Sequence, residues 1–281
     1  MSPHLKKLLL CTDLDRTLIP NGKAPESEGA RQRFAQLVSQ PNILLAYVSG
    51  RHRQLIEAAI HTYQLPVPDF AIADVGSTIY QIKQNHWQPL QAWRDAIAGD
   101  WQGMSREQLQ LMLSDIGPLQ AQEVEKQNSH KLSYYLPLEH EPQEIIHRMQ
   151  ARLQADGVKA NIIWSIDELN KVGLLDILPA AANKLHAIRF LMQQMSFAET
   201  QTLFAGDSGN DLDVLLSTVP SVLVANADAE VRAAVTSAPA DKLYLAHGNF
   251  LGMNGNYSAG IVEGVMHYHP ELIPLIEGVC T

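Results

Sequence analysis

Apolar residues along this chain fall into short unbroken runs, separated by stretches where they recur every three or four positions. Residues 8 to 12 form the first run, which Asp13 and Asp15 end, and Pro20-Asn21-Gly22 behind them is a turn signal, so a buried strand followed by a loop is predicted. From Ser27 to Gln40 the apolar positions Ala30, Phe34, Leu37 and Val38 keep helical spacing, and Ile43 to Val48 is a second run closed by Ser49-Gly50-Arg51. Helical spacing returns from Gln54 to Tyr63, and Pro66 and Pro68 lead to a third run, Phe70 to Ala73. Strand, helix, strand, helix, strand is the order of a parallel sheet with helices on both faces.

Between residues 81 and 181 the texture changes. Trp87, Trp93 and Trp101 lie in a Gln-rich amphipathic stretch, where core packing accounts for them better than a binding role. Strand-like runs follow at 119–124 and 131–136, then a helix-like segment at 142–155, Gly157, and further runs at 159–164 and 172–178. Helices and strands that do not alternate one for one indicate a mostly antiparallel α+β insert. The parallel order resumes with a helix from Lys184 to Met195, a strand at 202–205, a helix near 209–217 and a strand at 221–224. The predicted fold class is therefore α/β: a Rossmann-like parallel-sheet core of residues 1–80 and 182–281, interrupted by an inserted α+β cap domain, 81–181.

Composition narrows the function. The 281 residues are 46% hydrophobic and 18% charged, which fits a globular chain with ample core and excludes disordered and coiled-coil classes. Lys and Arg number 21 against 30 Asp and Glu, a net charge of -9, so no overall basic field gathers nucleic acid. A phosphate ligand then has to be held by local cations, backbone amides or a metal. Cys11 and Cys280 stand far apart without zinc spacing, so neither a disulfide framework nor a cysteine metal site is expected, and the cytoplasm fits best. Lys6 and Lys7 precede an apolar run too short for a signal peptide, and no run reaches the roughly 18 apolar residues of a membrane span, so no membrane partner is expected.

Four clusters carry candidate chemistry. Asp13-Leu14-Asp15-Arg16-Thr17 stands where a predicted strand ends, the side of an open α/β sheet on which ligands bind. Two carboxylates two residues apart can share a site, and like charges in contact suit either a divalent metal or a split between nucleophile and acid/base. Ser49-Gly50-Arg51 offers a hydroxyl and backbone amides at a helix start, which can hold an anion or simply cap the helix. Lys184 sits in the first turn of a predicted helix, the unfavourable end of the helix dipole, so its placement calls for a bound anion or acts as ordinary surface charge. Gly206-Asp207-Ser208-Gly209-Asn210-Asp211 follows the run at 202–205, with Asp207 and Asp211 four apart and able to converge. Oxygen donors with few His or Cys nearby favour Mg²⁺ over zinc.

In this order the four clusters resemble the motifs of the haloacid dehalogenase superfamily, in the branch with a large α/β cap inserted after the third core strand. The stretches 8–17, 45–51, 75–80, 131–134, 176–179, 183–184, 206–211 and 257–261 are similar to the sucrose-phosphate phosphatase-like family. That resemblance implies a Mg²⁺-dependent phosphatase in which Asp13 attacks phosphorus and Asp15 is the acid and then the base. Lys184, Ser49, Gly50 and Asn210 would bind phosphate, and Asp13, the Asp15 carbonyl and Asp207 would hold the metal, with Asp211 and Asn210 beside it. To act as an acid Asp15 has to be protonated, so either its neighbours raise its pKa or the substrate brings the proton. Sucrose 6-phosphate is the expected substrate, with mannosylglycerate, glucosylglycerate and mannosylfructose phosphates as alternatives. A phosphomutase, or a non-catalytic partner of a sugar-phosphate synthase, is the competing class, and a monomer is expected. Cap residues Ser133, His130 and Asn170, with Trp or Tyr platforms, are the candidate sugar contacts. Two departures from the family pattern stand out: Ser49 where Thr is usual, and a longer segment from Asp167 to Gly173.

Overall fold

A computed structural model describes residues 7–167 and 170–277, so Lys6, Cys280 and residues 168 and 169 of the long segment lie outside the described residues. The three apolar runs form β1 (Leu8–Thr12), β2 (Ile43–Val48) and β3 (Phe70–Ala73), joined through α1 (Ala30–Val38) and α2 (Arg53–Tyr63). They pair in parallel, with Cys11 opposite Ala46 and Ala46 opposite Phe70. Each run is unbroken because both faces of the sheet are covered. Leu8 and Leu10 pack with Phe34, Tyr47 and Ile261 on one side, and Leu9 and Cys11 pack with Phe70, Ile188 and Phe204 on the other.

After β3 the chain turns back as β4 (Thr78–Lys83) and β5 (His86–Pro89), an antiparallel hairpin that extends the same sheet, and then forms α3 (Gln91–Ala98). Trp87 joins the core on one face of the sheet and Trp93 on the other, where its Nε1 donates to the Gly76 carbonyl at 3.0 Å. The expected boundary at residue 81 therefore falls inside β4, and the chain leaves the large sheet only after α3. The hairpin turns on Gln84 and Asn85, both with positive φ, a two-residue turn without the glycine that would have advertised it.

The second sheet comprises β6 (Gln120–Ala121), β7 (Leu132–Leu136), β8 (Ala160–Asp167) and β9 (Val172–Pro179), with α4 (Arg106–Met112) and α5 (Pro142–Ala155). Its order is β6-β7-β9-β8, antiparallel throughout, over a separate core that holds Trp101, Met149 and Leu175. The strand expected at 119–124 shrinks to two exposed residues, because a helical turn at Val124–Lys126 follows at once.

The chain returns through α6 (Lys184–Met195), β10 (Thr202–Gly206), α7 (Leu212–Leu215), β11 (Ser221–Leu223), α8 (Ala229–Ala234), β12 (Leu243–Leu245) and α9 (Ser258–Tyr268). The large sheet then runs β12-β11-β10-β1-β2-β3-β4-β5, and strand order reverses beside β1. The helix expected over 209–217 is broken into a turn at Gly209–Asp211 and the short α7. Helix α9 has no apolar stripe to betray it, since every residue from Ser258 to Met266 is buried. Gly260 and Gly264, one turn apart, let it lie against Val224 and Val222, where any Cβ would collide. Among the described residues no helix is long and apolar enough to cross a membrane.

Candidate active site

The four clusters meet at the carboxyl ends of β1, β2 and β10, around the reversal in strand order, where open α/β sheets leave a crevice. Asp13 continues β1 and its N–H donates to the Ala205 carbonyl at 2.9 Å, which ties the first acid to the neighbouring strand. At the end of β10, Gly206 is required because a Cβ would stand 2.7 Å from the Asp211 carboxylate. Asp211 Oδ2 accepts the N–H groups of Asp207 at 3.0 Å and Ser208 at 3.1 Å, so the loop folds around its own acid. Thr17 donates through Oγ1 to Asp207 Oδ1 at 2.9 Å, joining the first and last clusters.

Lys184 opens α6 behind Asn183, whose Oδ1 caps the helix by accepting from the His186 N–H at 2.9 Å. Its ammonium stands 2.6 Å from Asp211 Oδ1, 2.9 Å from Asn210 Oδ1 and 3.2 Å from Asp13 Oδ1. Burial alone would lower its pKa, but Asp13 and Asp211 outweigh burial and keep it charged. These acids are the anions that justify a lysine at the positive end of a helix.

Asp13, Asp207 and Asp211 are all buried, and one oxygen of each lies within 4.8 Å of the others. Burial pushes Asp13 up to about 7, with Lys184 pulling it down and Asp211 and Asp207 pushing it up. Burial likewise lifts Asp207 to about 6 against the Thr17 hydrogen bond and the Arg16 charge. Asp207 Oδ2 has no hydrogen bond, since Arg16 Nε stands 3.1 Å away as an ion pair without hydrogen-bond alignment. A buried set of hard oxygen donors with excess negative charge and one unsatisfied oxygen suits a hard divalent cation such as Mg²⁺.

The Asp15 carboxylate stands apart from this set. Its carboxylate turns toward the end of β2, where Arg51 donates from Nε to Oδ2 at 2.8 Å and from Nη2 to Oδ1 at 2.7 Å. Asn21 adds a third bond to Oδ1 at 2.6 Å. The carboxylate is therefore not among the clustered donors, and any metal contact of Asp15 falls to its backbone carbonyl. Its pKa is lowered rather than raised: burial raises it, but the bonds and charge of Arg51 and the bond from Asn21 outweigh burial.

Ser49 is buried, its Oγ accepting the Arg51 N–H at 3.2 Å, whereas Gly50 is exposed. Gly50, Arg51 and Asn210 form one wall of a cavity of about 540 Å³, and Trp164 and Asp176 of the second sheet, with Gln122 and Lys131 flanking its strands, form the other. Lys131 Nζ lies 3.5 Å from Asp176 Oδ2 and 3.9 Å from Asp74 Oδ1, and Asn128 donates to Ser77 Oγ at 3.1 Å, so buried polar contacts cross between the two sheets.

The expected sugar contacts fall elsewhere. Ser133 is buried and donates to Asp176 Oδ1 at 2.5 Å, His130 packs on Trp101, and Asn170 bonds back to Asp167. None of the three lines the cavity. Trp164 does, with its ring lying over Gly173 of the adjacent strand, where a Cβ would overlap it. Arg16, Asn21, Asp74, Lys131 and Asp176 make polar contacts around the clusters that no motif announced. Of these, Lys131 and Asp176 lie in stretches already noted, and Arg16 lies inside the first motif.

The family model for sucrose-6F-phosphate phosphohydrolase matches residues 6–269. A HAD-like hydrolase of Nitrosococcus oceani is 54% identical over 95% of this chain and 73% of its own length. The mannosylfructose-phosphate phosphatase of Agrobacterium fabrum is 27% identical over 92% of this chain and 96% of its own. Among solved structures, the sucrose-phosphatase of Synechocystis in complex with sucrose and phosphate superposes with a TM-score of 0.71 at 27% identity, over 94% of this chain and 99% of that one.

Proposed function

The chain belongs to the sucrose-6F-phosphate phosphohydrolase family of HAD-type phosphatases, and from that premise we propose that it is a Mg²⁺-dependent phosphatase of a disaccharide or glycoside phosphate, with sucrose 6-phosphate its substrate. The observation that carries this reading is the convergence of Asp13, Lys184, Asp207 and Asp211 at the strand ends, joined through the Lys184–Asn210 contact to a cavity that the second sheet walls on its far side. Asp13, at the strand end and one side of the cluster, is the nucleophile that takes the phosphoryl group as an aspartyl-phosphate while the sugar oxygen departs. Lys184 neutralises Asp13 and Asp211 and offers its charge to the incoming phosphate, and Ser49 with the Gly50 amide receives the remaining phosphate oxygens. A divalent cation held by Asp13, Asp207 and Asp211 would supply the positive charge that lets a phosphate approach a carboxylate.

Asp15 is the acid for the departing oxygen and the base for the water that hydrolyses the intermediate. Because Arg51 and Asn21 hold it as a carboxylate, its first proton arrives on the phosphate monoanion of the substrate. Residues 99–181 act as the cap that selects the sugar, and Trp164 with Asp176 and Gln122 supplies an aromatic face beside polar groups, the pairing that sugars favour. Mannosylfructose phosphate is the second reading, favoured by the near full-length match to the Agrobacterium enzyme.

The test is phosphate release from sucrose 6-phosphate, mannosylfructose phosphate, mannosylglycerate and glucosylglycerate phosphates and simple hexose phosphates, with and without Mg²⁺, beside Asp13→Asn. A preference for one disaccharide or glycoside phosphate, lost in the variant, supports the reading and names the substrate. Absence of Mg²⁺-dependent release from all of them defeats it.

A further inference from the structure

Arg16 sits inside the first motif, yet none of the steps above uses it. Its backbone is fastened on both sides: the N–H donates to Asn21 Oδ1 at 2.8 Å and the carbonyl accepts from Asn226 Nδ2 at 2.6 Å. These two bonds hold a long side-chain residue at a φ of 58°, a conformation that costs energy for any residue but glycine. The side chain then reaches two acids at once, with Nε 3.1 Å from Asp207 Oδ2 and Nη1 3.1 Å from Asp228 Oδ2. The two acids differ in setting, since Asp207 is 1% exposed and Asp228 is 64% exposed. Arg16 lines a separate recess with Asn226, Asp228 and Tyr257, and its guanidinium is already engaged by two carboxylates.

The oxygen it faces is fully buried and has no hydrogen bond. A guanidinium cannot shed its proton, so a metal ion brought to Asp207 meets a fixed positive charge on the same atom. We propose that Arg16 is an internal counter-ion for Asp207 which an incoming divalent cation has to displace, and that Asp228 receives the displaced guanidinium at the surface. Arg16 thus weakens metal binding while keeping Asp207 in position between metal-binding events, and Asp228 sets how readily it yields. The inference rests on the reading that the acidic cluster binds Mg²⁺.

The experiment is calorimetric titration of the full chain, stripped with chelator, with MgCl₂ alone. The proteins are the unaltered chain, Arg16→Gly, which suits the positive φ, Asp228→Asn and the double variant, with Arg16→Asn as a second replacement should the glycine variant fold poorly. Arg16→Gly is expected to bind Mg²⁺ about 10-fold more tightly, and Asp228→Asn several-fold more weakly. In the Arg16→Gly background the Asp228 effect should vanish, which a direct electrostatic effect of Asp228 on the metal would not produce. Unchanged or weaker binding by both Arg16 variants overturns the proposal while leaving the metal reading intact. A failure of every protein, including the unaltered chain, to take up Mg²⁺ overturns both.

Discussion

Arg51 grips Asp15 with two parallel hydrogen bonds, 2.8 and 2.7 Å long, across 36 residues of sequence. The pair ties the second acid of the first motif to Arg51, a residue that lines the cavity. A forked guanidinium fixes both the position and the plane of a carboxylate, which an ammonium cannot do. Arg51→Lys is therefore expected to lower kcat by about 10-fold and Arg51→Ala by about 100-fold, the range associated with a mispositioned acid/base group. Steady-state kinetics on the preferred sugar phosphate measures both, and an Arg51→Lys variant with unaltered kcat would count against the positioning role.

Lys184 is a buried cation in contact with both Asp13 and Asp211. Lys184→Met leaves buried carboxylates without their counter-charge and should cost about 3–5 kcal/mol of stability in chelator. Added Mg²⁺ is expected to restore part of that loss, because a second cation then serves the same acids. Urea unfolding with and without Mg²⁺ decides it.

Asp74 couples stability to pH. Burial raises its pKa to about 6 against Lys131 and the Asn128 hydrogen bond, with Asp176 pushing it further up. The unfolded chain releases this proton near pH 4, while the folded chain keeps it until about pH 6, so rising pH through that window removes stability. Asp74→Asn escapes the effect, and its stability relative to the unaltered chain should improve between pH 4 and 7 by up to about 3 kcal/mol. Parallel denaturation curves at the two pH values test the sign.

Trp164 covers Gly173, where an added methyl would overlap its ring and come within 2.8 Å of the Leu136 carbonyl. Gly173→Ala and Trp164→Ala should each raise KM for a disaccharide phosphate by about 10-fold, the scale of one lost aromatic contact, with little change in kcat. Hydrolysis of a small aryl phosphate, which does not reach the second sheet, should be unaffected.

Much of this arrangement is legible in the sequence for identifiable reasons. The strands that carry Asp13 and Ser49 are buried on both faces and so appear as bare apolar runs, and Lys184 is conspicuous at the wrong end of a helix. What escapes the sequence is long-range or unpatterned. The hydrogen bonds of Arg51 to Asp15 and the ion pair of Arg16 with Asp207 join residues far apart in the chain, and no local spacing forecasts which acid a given arginine chooses. The β4–β5 hairpin turns without glycine, and α9 is buried all round, so neither shows the periodicity that would announce it.

The two glycines of α9 extend the site well beyond its visible walls. Val224, against which Gly260 packs, is followed two residues later by Asn226, the side chain that fastens Arg16 on one flank and accepts the Tyr257 N–H on the other. The depth at which a helix settles on a strand is thereby translated into the height of a single amide beside the acidic cluster. Position-by-position mutagenesis scored on turnover would thus rank Gly260 with the active-site residues, although it belongs to none of the four clusters.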